Sequence, residues 1–269
     1  MRGMVTKREI ISDGDSRGYW NALSPEYHRI TRISCADFHY GPQIPGEKTL
    51  KILPPLKPGM RALELGCGGA QNSVWLAKRG VNCDAFDISE EQLARARKIA
   101  AGNKVEINLF CASLSDFKKS ADRHYNFLHS SHAMEFAADP AAVVRDMAAV
   151  MKRGAWLMIS TVHPLFNGDW VEWVDDADEN KITKGLFLKN YFSPPDDVRD
   201  EFGAHVISRA HTVSDWFRWF KAAGLDVEDL REPSAVKNAP YSSEDWAEAA
   251  EGHLSAIPST IIFLCRKRT

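Results

Sequence analysis

The stretch "ALELGCGGAQNS", residues 62–73, sets an apolar run against three glycines and then passes into a segment with helical periodicity. An apolar run that ends on Gly66 and Gly68 predicts a buried strand turning sharply into a helix. Gly66 permits the turn, and Gly68 lets a ligand approach the backbone. Outward from this point the alternation repeats. Arg61–Leu65, Asn82–Phe86, Val105–Phe110, Asn126–His129 and Trp156–Thr161 read as strands, while Asn72–Arg79, Glu90–Ala101 and Pro140–Met151 read as the helices between them. Such alternation with short loops predicts βαβ units, and therefore an α/β fold built on a Rossmann-like, doubly wound, mostly parallel sheet. A late helix, Val213–Ala223, stops at Gly224; Asp226–Leu230 and Thr260–Arg266 then predict an antiparallel C-terminal edge.

Composition limits what such a sheet can serve. The 269 residues are 44% hydrophobic, enough for a sizeable core, and 34 basic against 36 acidic side chains leave no cationic surplus for a row of phosphates. A small-molecule partner is expected, and no nucleic acid. The opening "MRGMVTKREIISDGDSRG" lacks an apolar signal core, and no apolar run approaches the roughly 18 residues of a membrane span. Cys35, Cys67, Cys83, Cys111 and Cys265 have no paired spacing and read as reduced core thiols. The expectation is a cytoplasmic protein without a membrane partner.

The ligand is narrowed by three acidic or polar positions. Asp87 closes the second strand 19 residues past Gly68, where a carboxylate accepts hydrogen bonds from both hydroxyls of a ribose. The plain alternative is that Asp87 caps the helix starting near Glu90. A dinucleotide fingerprint requires a small residue six positions into the loop, and this chain has Gln71. Glu64, two residues before the first glycine, would repel a pyrophosphate but would accept hydrogen bonds from an ammonium group. A nucleoside that is cationic and free of phosphate fits these residues, and S-adenosylmethionine is one.

"LELGCGG", followed by "FDIS", "YNFLHSSHAMEF" and "VMKRGAWLMIS", resembles the motif series of class I S-adenosylmethionine-dependent methyltransferases over about residues 61–161, and "STIIFLCRK" resembles that family's last strand. The resemblance implies that Glu64, Gly66 and Gly68 line the methionine end. It puts Asp87 on the ribose, Ile88 against the adenine, Gln92 near the nucleoside, Ser130 and Ser131 near the transferable methyl, and Tyr27 on the cofactor. Two departures stand out. Ala70 takes the place of the third glycine, and "FCASLSDF" has no acid where the family has one facing the adenine amine, so Ser113 and Leu114 are expected there instead.

Methyl transfer from a sulfonium is an in-line displacement, so alignment and exclusion of water matter most. No metal is expected, because "HSSHAMEF" carries no carboxylate cluster. For a hydroxyl acceptor a base helps, and His132, His163 and His211 are the candidates; each also has a structural role available at its turn or helix start. The long acidic, aromatic insertion after the fifth strand reads as a lid, with Trp170, Trp173, Phe187 and Tyr191 placed to stack on a flat acceptor. The chain is thus expected to be one methyltransferase domain over 1–269: an N-terminal cap to 55, a cofactor-binding core at 56–163, a lid at 164–212, and a C-terminal helix with edge strands at 213–269. The expected reaction is methylation of a small aromatic or heterocyclic O or N acceptor. Two alternatives share the fold, an NAD-dependent oxidoreductase and a S-adenosylmethionine-binding protein without turnover.

Overall fold

The computed structural model describes residues 10–121, 124–166, 169–175, 178–201, 203–244 and 255–269. Its centre is a seven-stranded sheet, with the strands β2 (Arg61–Leu65), β3 (Asn82–Asp87), β4 (Asn108–Cys111), β5 (Tyr125–Ser131), β6 (Met151–Val162), β11 (Leu225–Arg231) and β13 (Thr260–Lys267). Their spatial order is β11-β13-β6-β5-β2-β3-β4. β2 pairs in parallel with both β3 and β5, and β13 runs antiparallel between β6 and β11, as the sequence pattern predicts. The order reverses between β2 and β5, so the crevice that a doubly wound sheet offers to ligands opens at the ends of these two strands.

Local chemistry sets the helix starts. α3 (Gln71–Ala77) follows the glycine loop; α4 (Glu90–Gly102) is capped by Ser89, whose hydroxyl accepts from the Gln92 amide, with Glu90 and Glu91 in its positive first turn. α5 (Pro140–Val150) carries Asp139 as its cap and proline in its first turn, and α6 (Val213–Ala222) has a capping box of Thr212 and Asp215. One face of the sheet is closed by Val143, Met147, Trp216, Phe220 and Phe263, and the other by Phe38, Ile44, Trp75 and Leu76.

The cap is more regular than expected. α1 runs from Asp13 to Ile30 and leads into β1 (Thr31–Ile33), which pairs antiparallel with the distant β12 (Tyr241–Ser243). A single turn, α2 (Glu47–Leu50), precedes β2. The insertion after β6 forms two hairpins, β7 (Asp169–Asp175) with β8 (Asp178–Phe187), and β9 (Asp197–Glu201) with β10 (Ala204–Ser208). The Tyr19 hydroxyl donates to the Glu201 carboxylate and ties α1 to the second hairpin. Cys67, Cys83 and Cys265 are buried thiols, but Cys35 is half-buried and Cys111 exposed, since β4 is an edge strand. No described helix is long and apolar enough to cross a membrane.

Candidate active site

The glycine loop takes the backbone shape that its residues allow. Gly66 and Gly68 have φ of +68° and +50°, and a Cβ built on Gly66 would fall 2.1 Å from that of Ala133. A Cβ on Gly68 would meet nothing closer than Gln92 Oε1 at 3.8 Å, which leaves room for a ligand against that backbone. Beside it, Gln71 fills the space above Gly69 with its side-chain amide, 2.7 Å from where a Cβ would stand.

Asp87 is buried at the tip of β3. Its Oδ2 accepts from the Gly68 amide at 2.7 Å and its Oδ1 from the Ser89 amide at 2.9 Å. Burial raises its pKa and these amides oppose the rise. Ser89 takes the capping role, so Asp87 is released to hold the loop and to line the cleft.

Glu64 is equally enclosed. Its Oε2 accepts from the backbone amide and hydroxyl of Ser73, at the start of α3. Burial raises its pKa from 4.5 to about 8, aided by the Asp87 charge and opposed by the Ser73 bonds. The nearest imidazole, His129 Nδ1 at 3.8 Å, is stacked on Phe127 and brought down to about 3 by burial, so it offers no positive charge. A buried carboxyl facing a cleft without a cationic partner suits the ammonium of a ligand.

The cleft has about 240 Å³ of room for water-sized spheres. Asp13, Asp87, Ile88, Gln92 and residues 112–115 line one end. Trp20, Tyr27, His39, Phe136 and Tyr241 form an aromatic cluster on the cleft wall, and Glu64 and the glycine loop line the cleft as well. Trp20 meets Tyr27 and Phe136 edge-on, and the Tyr27 and Tyr241 hydroxyls share a hydrogen bond that holds the cap to β12. Burial raises the Tyr27 phenol to about 12 and lowers the His39 imidazole to about 3, and His39 Nδ1 has no hydrogen-bond partner among the described residues.

His132 lines the same cleft just past β5 with φ of +52°, a left-handed conformation that is strained for a residue with a Cβ. Its Nδ1 lies 3.2 Å from Glu135 Oε1 and its Nε2 lies 2.9 Å from the Thr260 hydroxyl. Glu135 is buried, and its Oε2 accepts from Thr161 at 3.0 Å. This carboxylate orients the ring with a proton on Nδ1 and the lone pair on Nε2.

Glu64, Gly66, Gly68, Asp87, Ile88, Gln92, Ser113, Leu114, Tyr27 and His132 therefore meet in one cleft. Ser131 joins them, and the other anticipated residues that are described lie elsewhere. Ser130 is fully buried, donating to the Leu65 carbonyl at 2.9 Å, and Ser131 takes the position facing the cleft. His163 is buried at the turn after β6, where Nε2 meets Glu232 at 2.7 Å and Nδ1 accepts from the Leu165 amide. His211 packs edge-on against Trp219 and Trp216 of α6. Phe187 is exposed and Tyr191 packs on Phe192, while the Trp170 and Trp173 side chains lie outside the described residues. Sequence reasoning missed Glu135, three residues beyond His132 in "HAMEF", and His39, Phe136 and Tyr241, which only the fold gathers.

A cleft at the switch point of this sheet, lined by a glycine loop and by a buried acid at the tip of the next strand, matches what the motif series implies for a S-adenosylmethionine-dependent methyltransferase. The chain belongs to the methyltransferase domain family, whose family model matches residues 38–230. It is 30% identical over 186 residues to the ubiquinone biosynthesis O-methyltransferase of Aeromonas salmonicida, covering 69% of this chain and 70% of that one. The same-named protein of Hydrogenovibrio crunogenus is 26% identical over 138 residues, 51% of this chain and 57% of its own length. Among solved structures, a S-adenosylmethionine-dependent methyltransferase from Mesorhizobium loti superposes with a TM-score of 0.60 at 22% identity, covering 82% of this chain and 96% of that one. A [4+2]-cyclase superposes with a TM-score of 0.63 at 14% identity over 97% and 98%, so the shared fold does not by itself specify the reaction.

Proposed function

We propose that this protein transfers a methyl group to a hydroxyl of a small aromatic acceptor. The observation that carries the reading is one cleft whose wall holds the buried carboxyls of Glu64 and Asp87, the rings of Trp20, Tyr27, Phe136 and Tyr241, and a histidine beside a buried carboxyl. Glu64 would hold the ammonium and Asp87 the ribose hydroxyls, and S-adenosylmethionine bound there supplies an electrophilic methyl on a sulfonium.

The chain's own contribution is alignment, a base and exclusion of water. Trp20, Phe136 and Tyr241 offer ring faces and edges between which a flat acceptor is held. His132 Nε2, which here has the Thr260 hydroxyl as its neighbour, would take the proton of an acceptor hydroxyl to which the bound cofactor would supply the methyl group. Glu135 stabilises the imidazolium that results. Relatives named as O-methyltransferases of ubiquinone biosynthesis favour oxygen as the methylated atom.

The test is release of S-adenosylhomocysteine from S-adenosylmethionine over a panel of catechols and other phenols, with aromatic amines alongside. Turnover with phenols is expected. Turnover confined to the amines would overturn the choice of oxygen, and cofactor binding without turnover on any acceptor would favour a binding protein.

A further inference from the structure

We propose that Asp13, at the start of α1, supplies the carboxylate missing from the loop after β4 and, through Ser115 and Ser113, makes the base end of the cleft select a 6-amino purine over a 6-oxo purine. The proposal rests on the reading of this cleft as a nucleoside site. It begins from the segment "FCASLSDF", where Ala112, Ser113 and Leu114 line the cleft without an acid. Asp116, the acid nearest in sequence, turns outward to Lys119 at 2.7 Å.

The fold brings Asp13 to this place from 102 residues away. Ser115 Oγ donates to Asp13 Oδ2 at 2.8 Å, and Ser113 Oγ lies 2.8 Å from Ser115 Oγ. A carboxylate can only accept, so Ser115, exposed like Asp13, donates its proton to it. With that proton given away, Ser115 is the acceptor in its contact with Ser113, and the lone pairs of the buried Ser113 hydroxyl are left for the ligand. Without the acid at its end, a pair of hydroxyls has either polarity. With it, the cleft presents acceptors: Ser113 Oγ and Asp13 itself. An exocyclic amine donates to these, whereas a 6-oxo group brings an oxygen against them.

Asp13 is held there by a row of contacts along one face of α1. Arg17 Nε donates to the Ile88 carbonyl at 3.3 Å, Asn21 Oδ1 accepts from Ser89 Oγ at 2.7 Å, and His28 Nε2 meets Gln92 Oε1 at 2.7 Å. These fasten the helix over the turn from β3 to α4, beside Asp87. The other acids on the cleft are already engaged: Asp139 caps α5 through the Ala142 amide, and Asp146 pairs with Lys118.

The experiment measures the affinity of the full chain for S-adenosylhomocysteine and for its 6-oxo analogue, S-inosylhomocysteine, by calorimetry. The unmodified chain is expected to prefer the amino form by about tenfold or more, as befits a charge-assisted set of acceptors. Asp13→Asn is expected to cut that preference by about tenfold, because an amide also presents a donor. A role confined to holding the helix would weaken both compounds alike and leave the ratio unchanged, and that result overturns the proposal. Ser115→Ala breaks the same relay, so its preference must fall as well even if Asp13→Asn does not fold. Failure of the unmodified chain to bind either compound would overturn the cofactor reading together with this one; binding with an unchanged ratio in both variants overturns this one alone.

Discussion

Lowering the pH from 7 to 6 is expected to weaken binding of S-adenosylhomocysteine about ninefold, through the single carboxyl of Glu64. Burial raises this group from 4.5 to about 8, and the neighbouring His129 is uncharged at neutral pH. At pH 7 about nine-tenths of the ligand-free chains therefore carry a proton there, while the ammonium of the ligand favours the carboxylate. The apparent dissociation constant then carries a factor of 1 + 10^(8−pH), about 11 at pH 7 and about 101 at pH 6. Binding at pH 7 should expel about 0.9 proton per ligand, measurable by titration calorimetry in buffers of different ionisation heat. The same shift acts on stability with the opposite sense: between 4.5 and about 8 the folded chain holds the proton more tightly than the unfolded one, so the ligand-free protein loses stability as pH rises through that window. Glu64→Gln is expected to bind weakly, to show neither the pH slope nor the proton release, and to be relatively stabilised at pH 8. Equal affinity at pH 6 and pH 7 with no proton released would refute the assignment of Glu64 to the ammonium.

Other perturbations separate the remaining roles. Asp87→Ala removes a carboxylate that holds the Gly68 amide, and a loss of about 1.5–3 kcal/mol, tenfold or more in cofactor affinity, is expected; an unchanged affinity would remove it from the site. His132→Ala is expected to depress turnover about 10²–10⁴-fold while the affinity for S-adenosylhomocysteine stays level, and a parallel loss of both would make the residue structural. Gly66→Ala puts a Cβ 2.1 Å from that of Ala133 at a positive φ, for which a loss of ~1–3 kcal/mol in stability is expected; an unaltered thermal midpoint would contradict the loop geometry. Asn21→Ala cuts the 2.7 Å bond from Ser89 that fastens α1, and because α1 lines the cleft, KM should rise for cofactor and acceptor together; a rise for only one of them would count against the shared wall.

The sheet and its loop were legible because βαβ geometry ties sequence spacing to position. A strand must end where the glycines begin, and the next strand must run parallel beside it, so Gly66, Gly68 and Asp87 are brought together by local chain length alone. The antiparallel edge of β11 and β13 followed from two apolar runs flanking a polar stretch. The insertion after β6 was harder. Its aromatic content suggested a stacking surface, but that argument uses composition and carries no information on which way a hairpin folds. Among the described residues, Trp20 and Tyr27 of α1, Phe136 after β5 and Tyr241 of β12 bring rings to the cleft. Their separation in sequence, from Trp20 to Tyr241, leaves no periodic signal to find.

The histidines show the same limit from another side. His132, His163 and His211 each follow or precede a regular element, and all three satisfy the sequence criterion for a base at a strand tip or helix start. What separates them is the partner of each ring nitrogen. His163 spends both nitrogens on the turn that it closes, one on Glu232 and one on the Leu165 amide. His211 is packed among the tryptophans of α6. Only His132 combines a cleft position, a buried carboxylate beside Nδ1 and a hydroxyl beside Nε2, and it does so at a backbone angle that costs energy to hold. The polar face of α1 makes a matching case. Asp13, Arg17, Asn21 and His28 look in sequence like the solvated side of an amphipathic helix; Asp13 and Arg17 are indeed exposed, yet Arg17 and Asn21 also bond to the turn between β3 and α4, His28 to Gln92 in the first turn of α4, and Asp13 to the loop after β4. Polar residues at helical spacing report solvent only when nothing polar faces them. Here the backbone carbonyls and hydroxyls at the strand tips do face them, and a helix that looks amphipathic becomes the roof of the cleft.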